Sequence, residues 1–179
     1  MAYSELFDRC VKVVLINEGG YSNNPADPGG ATNKGITQSV YDNYRVKKEL
    51  QTQSVKLITD DEVHDIYYSL YWKPMNLESI SNEGLVLQAF DMGVNSGIRM
   101  SIKILQRILK TNDDGFIGPN TLKLINEFDG DLLAVFIEKR KAFYTILAKN
   151  KPALVVFLKG WIRRVNVTKF KQIQNDIIK

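Results

Sequence analysis

Apolar residues recur at helical spacing along most of the chain, with polar residues between them. This pattern predicts helices over residues 4–17, 38–48, 83–95, 98–109, 131–149 and 152–165. Two more helices are expected, one opened by a capping box at Thr59 and Glu62, the other with Pro119 in its first turn. No β-rich region competes with these helices, so the sequence predicts a mainly α fold. In the helix over 131–149, we expect Leu132, Val135, Phe136, Phe143, Ile146 and Leu147 to face inward.

The clearest break in this pattern follows the first helix. Residues 18–37 read EGGYSNNPADPGGATNKGIT, in which Gly, Pro, Asn and Asp replace most apolar residues. Such a composition is typical of a long loop, here with a small β-hairpin as a further expectation. We expect Gly19 and Gly20 to end the helix, which places Glu18 in its last turn or just beyond. A second carboxyl group, Asp27, follows in the loop, and two carboxyl groups across a cleft can cut a glycosidic bond.

The formal net charge of +4 and the sequence pI near 9.0 are mildly basic. They fit attraction to a polyanion such as nucleic acid, teichoic acid or cell-wall peptide carboxylates, or a solvated surface rich in lysine. The same two interpretations apply to the basic run Lys159, Arg163, Arg164, Lys169 and Lys171. Nothing resembles a nucleic-acid-reading helix or a phosphate loop, so we expect no nucleic-acid partner.

Cys10 is the single cysteine and lies in an apolar stretch, so we expect it to pack in the core. His64 is the single histidine and has no Cys or His partner at zinc-ligand spacing, so we expect no metal and no cofactor. The N-terminal residues lack the basic and apolar regions of a signal peptide. No segment approaches the roughly 20 apolar residues of a membrane span. We therefore expect synthesis in the cytoplasm without a signal peptide and no stable membrane insertion; we also expect a monomer.

The run Glu18-Gly-Gly-Tyr-Ser-Asn-Asn-Pro-Ala-Asp-Pro-Gly-Gly-Ala-Thr-Asn-Lys-Gly-Ile-Thr closely resembles the signature of glycoside hydrolase family 108. That family comprises N-acetylmuramidases of the phage endolysin and secretion activator type. Residues 90–97, 114–121 and 157–165 resemble its predicted peptidoglycan-binding region. The resemblance spans about residues 5–165 and implies a two-lobed, lysozyme-like helical fold. It implies a catalytic lobe at 1–90, a peptidoglycan-binding lobe at 91–165 and a tail at 166–179.

The resemblance also implies an activity, which is hydrolysis of the β-1,4 bond between N-acetylmuramic acid and N-acetylglucosamine in peptidoglycan. The implied partners are glycan strands, reached at the cell wall after release through a holin or a secretion route. Two alternatives stay open. One is a lytic transglycosylase that uses Glu18 as its acid and base, and the other is a wall-binding or secretion accessory protein without turnover.

Phage lysozymes in general place a Glu after the first helix, an Asp nine positions on and a Thr shortly after, and Glu18, Asp27 and Thr32 have that spacing. This likeness implies that Glu18 is the general acid, kept protonated by partial burial beside apolar side chains. Asp27 would orient a water or balance developing charge, and it equally suits a turn residue bonded to its own backbone. Thr32 would hold the attacking water. The likeness favours inversion, for which the carboxyl groups stand roughly 6.5–9.5 Å apart.

Six further residues are candidates for substrate contact, namely Tyr21, Gly30, Thr37, Tyr71, Trp72 and Asn95. Tyr71 and Trp72 are expected to wall the cleft, although tryptophans at helix ends more often pack in the core. Gly30 would let a sugar approach closely, or would serve backbone shape alone. Thr37 also suits an N-cap of the helix that follows it, and Asn95 also suits a bond to buried backbone.

Overall fold

The computed structural model describes residues 3–23 and 30–170 of the chain. Eight α-helices and one two-stranded antiparallel sheet form most of this part, which confirms the predicted mainly α fold. The helices are α1 (Glu5–Asn17), α2 (Gln38–Lys47), α3 (Asp60–Tyr67), α4 (Glu83–Ser96), α5 (Ile98–Ile108), α6 (Pro119–Asn126), α7 (Leu132–Asn150) and α8 (Val155–Val167). The strands are β1 (Thr32–Asn33) and β2 (Ile36–Thr37), and the hairpin is therefore where the sequence placed it.

Short helical turns join several of these elements. Four are 3₁₀ turns and one is a π turn: Val55–Leu57, Lys73–Met75, Leu77–Ser79 and Pro152–Leu154, with the π turn at Tyr68–Trp72. The capping box of Thr59 and Glu62 opens α3 as predicted, because both reciprocal bonds are present. The first helix ends at Asn17, one residue before Glu18, so the two glycines lie beyond its end.

The core is built around α4, which packs against α1, α5 and α7. Because neighbours cover α4 on several sides, the run from Leu85 to Gly93 is buried throughout instead of forming one apolar stripe. From α1, Phe7 and Cys10 are fully buried in the same core. Burial raises the pKa of the Cys10 thiol, so this cysteine serves packing, as the sequence indicated.

In α7 the inward face differs from the predicted one. Val135 is 37% exposed and Ile146 is 57% exposed, although we expected both to face the core. Arg140, a charged residue, is instead fully buried in that helix. The difference arises because the interior here takes up an ion pair, and helical periodicity does not predict which charges find buried partners.

The hairpin is fixed to its surroundings on two sides. Its register pairs Thr32 with Thr37, and the Ser22–Thr32 bridge adds a third short segment. Asn33 donates from its side-chain amide to the Val55 carbonyl at 3.2 Å, which joins the hairpin to the 3₁₀ turn that follows α2. This short sheet therefore has a defined position next to the end of α1.

Two sequence predictions concern the chain as a whole, namely how it divides into lobes and whether it inserts into a membrane. Helix α4 runs unbroken through residue 90, and the division into 1–90, 91–165 and 166–179 stays a prediction. Among the described residues, none of the helices combines the length and the apolar character that crossing a bilayer requires.

Candidate functional site

Glu18 owes its position to the way α1 ends. Its backbone is extended, with φ −88° and ψ 142°, and its N–H donates to the Leu15 carbonyl at 3.2 Å. One face of α1, which includes Phe7 and Val14, lies in the core. The chain reaches the surface just after the helix ends, where Gly19 and Gly20 are exposed. The Glu18 side chain is 18% exposed. It is thus shielded on most sides and still open to solvent.

The turn of the hairpin packs directly on the Glu18 carboxylate. Gly35 has a positive φ of 74°, and a Cβ there would lie 2.9 Å from Glu18 Oε2 and 2.8 Å from the Tyr67 hydroxyl. Cβ atoms do not approach other atoms so closely, so the position requires glycine for space as well as for its backbone conformation. Tyr67 donates to the Lys34 carbonyl at 2.9 Å, which ties the turn to α3.

Two tyrosines form the aromatic side of the site. The ring centroids of Tyr67 and Tyr71 are 5.6 Å apart. Burial raises the pKa of both hydroxyls, and the negative charge of Glu18 raises it further. Both hydroxyls are therefore neutral hydrogen-bond donors at neutral pH. Tyr67 is buried, whereas Tyr71 is half-buried and keeps the accessibility that contact with a substrate requires.

A row of alternating charges anchors Glu18 from the later helices. Arg164 on α8 donates through Nη2 to Glu18 Oε1 at 2.7 Å, and through Nε to Asp91 Oδ1 at 2.9 Å. Asp91 on α4 is fully buried and also accepts from Arg140 Nη2 on α7 at 2.5 Å. Burial opposes the charge of Arg164, but Asp91 and Glu18 together hold its pKa above the usual value. Each buried charge in this row therefore has a partner of opposite sign.

Sequence patterns indicated no role for Asp91 or Arg140, and Arg164 was expected among the cations that face solvent or wall polymer. One signal was available, because Asp91 is a charged residue inside the apolar run of α4, and a buried charge needs a partner. The partners lie 49 and 73 residues away along the chain, so spacing alone does not identify them.

Three predicted site residues lie in or beside the hairpin. Tyr21 is exposed, with the Lys56 ammonium 5.6 Å from its ring centroid. Gly30 is exposed, has a positive φ of 71°, and would meet nothing within 4 Å if a Cβ were added. Thr32 exchanges two backbone hydrogen bonds with Ser22, both 2.9 Å long, and its side chain is half-buried.

Other predicted residues have defined structural roles. Thr37 accepts a hydrogen bond from the Val40 N–H at 3.3 Å and so caps α2, the role that the sequence favoured for it. The expected cleft-wall role of Trp72 is wrong. Its side chain is fully buried and donates to Glu78 Oε1 at 2.8 Å, so no face of the indole is open to a sugar. Asp27 lies outside the described residues.

A groove of about 430 Å³ opens beside the Glu18–Arg164 pair, between the ends of α1 and α8. Asn17 and Arg164 line it, and so does Asn95, which the sequence had proposed for substrate contact. Asn95 is exposed and accepts a hydrogen bond from the Tyr144 hydroxyl at 2.8 Å. The structure therefore brings Asn95 into the neighbourhood of Glu18, from which it is distant in sequence.

Two family models match successive segments of the chain. Residues 11–97 match the family model for glycosyl hydrolase 108, and residues 100–166 match the model for the predicted peptidoglycan domain. The solved structure of Brucella abortus SagA is similar, with 30% sequence identity, a TM-score of 0.73 and coverage of 89% of each chain. The chain belongs to the glycosyl hydrolase 108 family. Curated proteins gave no significant match.

Membership of the glycosyl hydrolase 108 family, together with the second match, relates the function of the chain to peptidoglycan. The similarity to SagA also confirms the predicted lysozyme-like helical fold. Within residues 3–23 and 30–170, no group of three or more His, Cys, Asp or Glu side chains is placed to hold a metal ion. His64 instead lies beside Asp8, with 3.5 Å between Nδ1 and Oδ1.

Proposed function

We propose that this member of the glycosyl hydrolase 108 family is a peptidoglycan hydrolase that cleaves the β-1,4 bond between N-acetylmuramic acid and N-acetylglucosamine. The observation that most supports the proposal is the placement of Glu18 between the hairpin turn, two tyrosines and Arg164, which itself lines a groove. A glycosidic oxygen is a poor leaving group until it is protonated, so the reaction needs one positioned acid.

In the proposed reaction Glu18 gives its proton to the glycosidic oxygen. Glu18 Oε1 accepts a hydrogen bond from Arg164 at 2.7 Å, so this contact must give way before that oxygen can reach the glycosidic oxygen. A sugar strand lying over Glu18 would exclude water, and loss of water favours the neutral carboxylic acid. We propose that the half-buried Tyr71 hydroxyl donates a hydrogen bond to the same strand.

The positive charge that develops on the sugar ring calls for a second negative group. We propose Asp27 for this role, with Thr32 holding the attacking water. The water bonds to the anomeric carbon as the bond to the protonated leaving oxygen breaks, and the proton that the water loses passes to the Asp27 carboxylate; the inverting outcome stays a prediction. Asp91 is the other carboxylate in the charge row with Glu18. It is fully buried and bound by two arginine side chains, so it is unsuited to contact a sugar.

The test is lysis of purified insoluble peptidoglycan, followed as loss of turbidity. Glu18→Gln is expected to lower the rate by at least about 100-fold, the usual contribution of a positioned acid, while binding to the sedimented wall is kept. Glu127→Gln is the matched control, because Glu127 is exposed just after the end of α6 and undergoes the same change of charge. Lysis by Glu18→Gln at the wild-type rate would disprove the catalytic proposal. A wild-type protein that binds without lysis would be the wall-binding or accessory protein of the alternative.

The products separate hydrolysis from the transglycosylase alternative. Hydrolysis adds one water to each cut, whereas a lytic transglycosylase leaves 1,6-anhydromuramic ends, and the two differ in mass. We expect hydrated ends by mass spectrometry of the digested wall. We also propose that the protein is made in the cytoplasm and acts at the cell wall as a monomer, after release through a holin or a secretion route.

A further inference from the structure

The groove beside Glu18 contains charged, amide and aromatic side chains that have no part in the proposed cleavage step. It is lined by the end of α1 and by one face of α8, with Asn17, Asn95, Trp161, Arg163 and Arg164 among its residues. Arg164 also donates to Glu18 Oε1 at 2.7 Å, so one side chain both lines the groove and contacts that carboxylate. A ligand in the groove would therefore lie next to a glycan strand held at Glu18.

The two arginines of the groove differ in how their charges are met. Arg164 is compensated by Asp91 and Glu18. Arg163 is exposed, and among the described residues no carboxylate pairs with it. None of the residues that line the groove is acidic. The groove thus carries an uncompensated cation and favours an anionic group, which an arginine can hold with two parallel hydrogen bonds.

The rest of the lining suits a peptide. The Trp161 ring is half-buried and stacks on Tyr144, with centroids 5.2 Å apart and planes at 26°, so it is held in place. The Asn95 side-chain oxygen already accepts from the Tyr144 hydroxyl, which orients the Asn95 amide. A fixed indole face beside an amide and a guanidinium provides apolar contact, hydrogen bonding and charge together.

We propose that this groove binds the peptide stem of peptidoglycan, with Arg163 on a stem carboxylate and Trp161 against the aliphatic part of the stem; the proposal rests on the proposed function. The sugars carry hydroxyl and acetamide groups without net charge, because the lactyl carboxyl of muramic acid is joined to the stem as an amide. The anionic groups next to the glycan are therefore the carboxylates of the stem. Wall phosphate polymers are a separate anionic ligand, which the experiment distinguishes.

The test is calorimetric binding of N-acetylmuramyl tetrapeptide to the full chain, since this ligand contains no glycosidic bond to cut. Arg163→Gln is expected to weaken binding about tenfold, and amidation of the stem carboxylates is expected to weaken wild-type binding to the same extent. Arg163→Lys should retain part of the affinity, because it keeps the charge and loses the fork. Lys159→Gln is the control; Lys159 is exposed on the same helix and outside the groove lining.

Four results would overturn the proposal. The first is that the folded wild type does not bind the muramyl peptide, and the second is that Lys159→Gln weakens its binding as much as Arg163→Gln does. The third is that Arg163→Gln weakens the binding of peptide-free glycan oligomers as much as that of the muramyl peptide. The fourth is that the wild type binds a glycerol phosphate oligomer more tightly than the muramyl peptide. If Arg163→Gln does not fold, Arg163→Lys and the amidated ligand test the same contact. The lysis assay with Glu18→Gln is independent of this measurement, so failure of the hydrolase proposal and failure of the groove proposal are distinguishable.

Discussion

Arg164 on the last helix lies 2.7 Å from the carboxylate of Glu18, at the end of the first helix, although the two residues are 146 positions apart. The guanidinium is not free to turn away, because its Nε is bound to the fully buried Asp91. Glu18 is therefore positioned from the C-terminal part of the chain as much as from α1. Within the proposed function, the site is complete only when the end of α1 and α8 have come together.

Asp91 is the buried centre of the row of charges Glu18–Arg164–Asp91–Arg140, and it should contribute more to the free energy of unfolding than the other members. Asp91→Asn leaves two guanidinium groups, those of Arg140 and Arg164, without their shared carboxylate, and we expect a loss of about 3–5 kcal/mol in the free energy of unfolding. Urea unfolding followed by circular dichroism measures this loss. Asp113→Asn is the control, because Asp113 pairs with Arg107 on the surface and should cost less than about 1 kcal/mol. Equal small losses in both variants would contradict a buried network.

Gly35→Ala should separate the geometry of Glu18 from overall stability. The added methyl would lie 2.9 Å from Glu18 Oε2 and must displace that side chain or Tyr67, so we expect the lysis rate to fall at least tenfold. The positive φ adds a backbone cost of about 1–2 kcal/mol. Gly97→Ala is the control, since Gly97 has φ 92° and nothing within 4 Å of an added Cβ. It should lose stability while each folded molecule keeps its activity, and a matching loss of activity in both variants would count against the close packing on Glu18.

Local features of this fold could be predicted from sequence. The helix over 4–17, the capping box of Thr59 and Glu62, and the cap at Thr37 depend on residues within one or two turns, and the structure confirms them. The hairpin was expected because Gly, Asn and Asp cluster there. The position of Glu18 just after a helix was likewise available from the pattern and from the family resemblance.

The long-range part of the site could not be predicted in the same way. Periodicity indicated that Ile146 was a core residue and contained no sign that Arg140 is buried, because burial of an arginine depends on a partner 49 residues away. Trp72 and Tyr71 are adjacent in sequence, but the π turn Tyr68–Trp72 buries the first and leaves the second half-exposed. A one-residue difference in a helical turn decides which aromatic ring is partly exposed to solvent.

Asp27→Asn tests the second carboxyl group of the proposed reaction. If Asp27 balances the developing charge, the lysis rate should fall about 100-fold while wall binding is unchanged. Thr32→Val should cause a smaller loss, because the proposed role of Thr32 is to hold the water. Near-normal lysis by Asp27→Asn would move the role of Asp27 to a water held by Thr32, or to another carboxylate.

Acid should destabilise the chain through the carboxylates of α3. Burial acts to raise the pKa of Glu62, but hydrogen bonds from Thr59 and Tyr41 and the charge of Arg45 hold it below its usual range. A carboxyl group with a lowered pKa in the folded state contributes stability above its unfolded pKa of about 4.3, and loses that contribution as the pH falls through the folded value. The free energy of unfolding should therefore change little near neutral pH and decrease below about pH 4.3.

Urea unfolding at a series of pH values measures this decrease. Glu62→Gln should lower stability at pH 7 and make the decrease below pH 4.3 shallower, because the variant has no proton to take up at this position. Glu127 is exposed just after the end of α6, so Glu127→Gln makes the same chemical change and should leave the slope as it is in the wild type. A Glu62→Gln variant that keeps the wild-type slope would show that other carboxylates account for acid unfolding. Asp65 would then be the next to test, since Lys48, Tyr44 and Tyr3 hold its pKa low although burial opposes them.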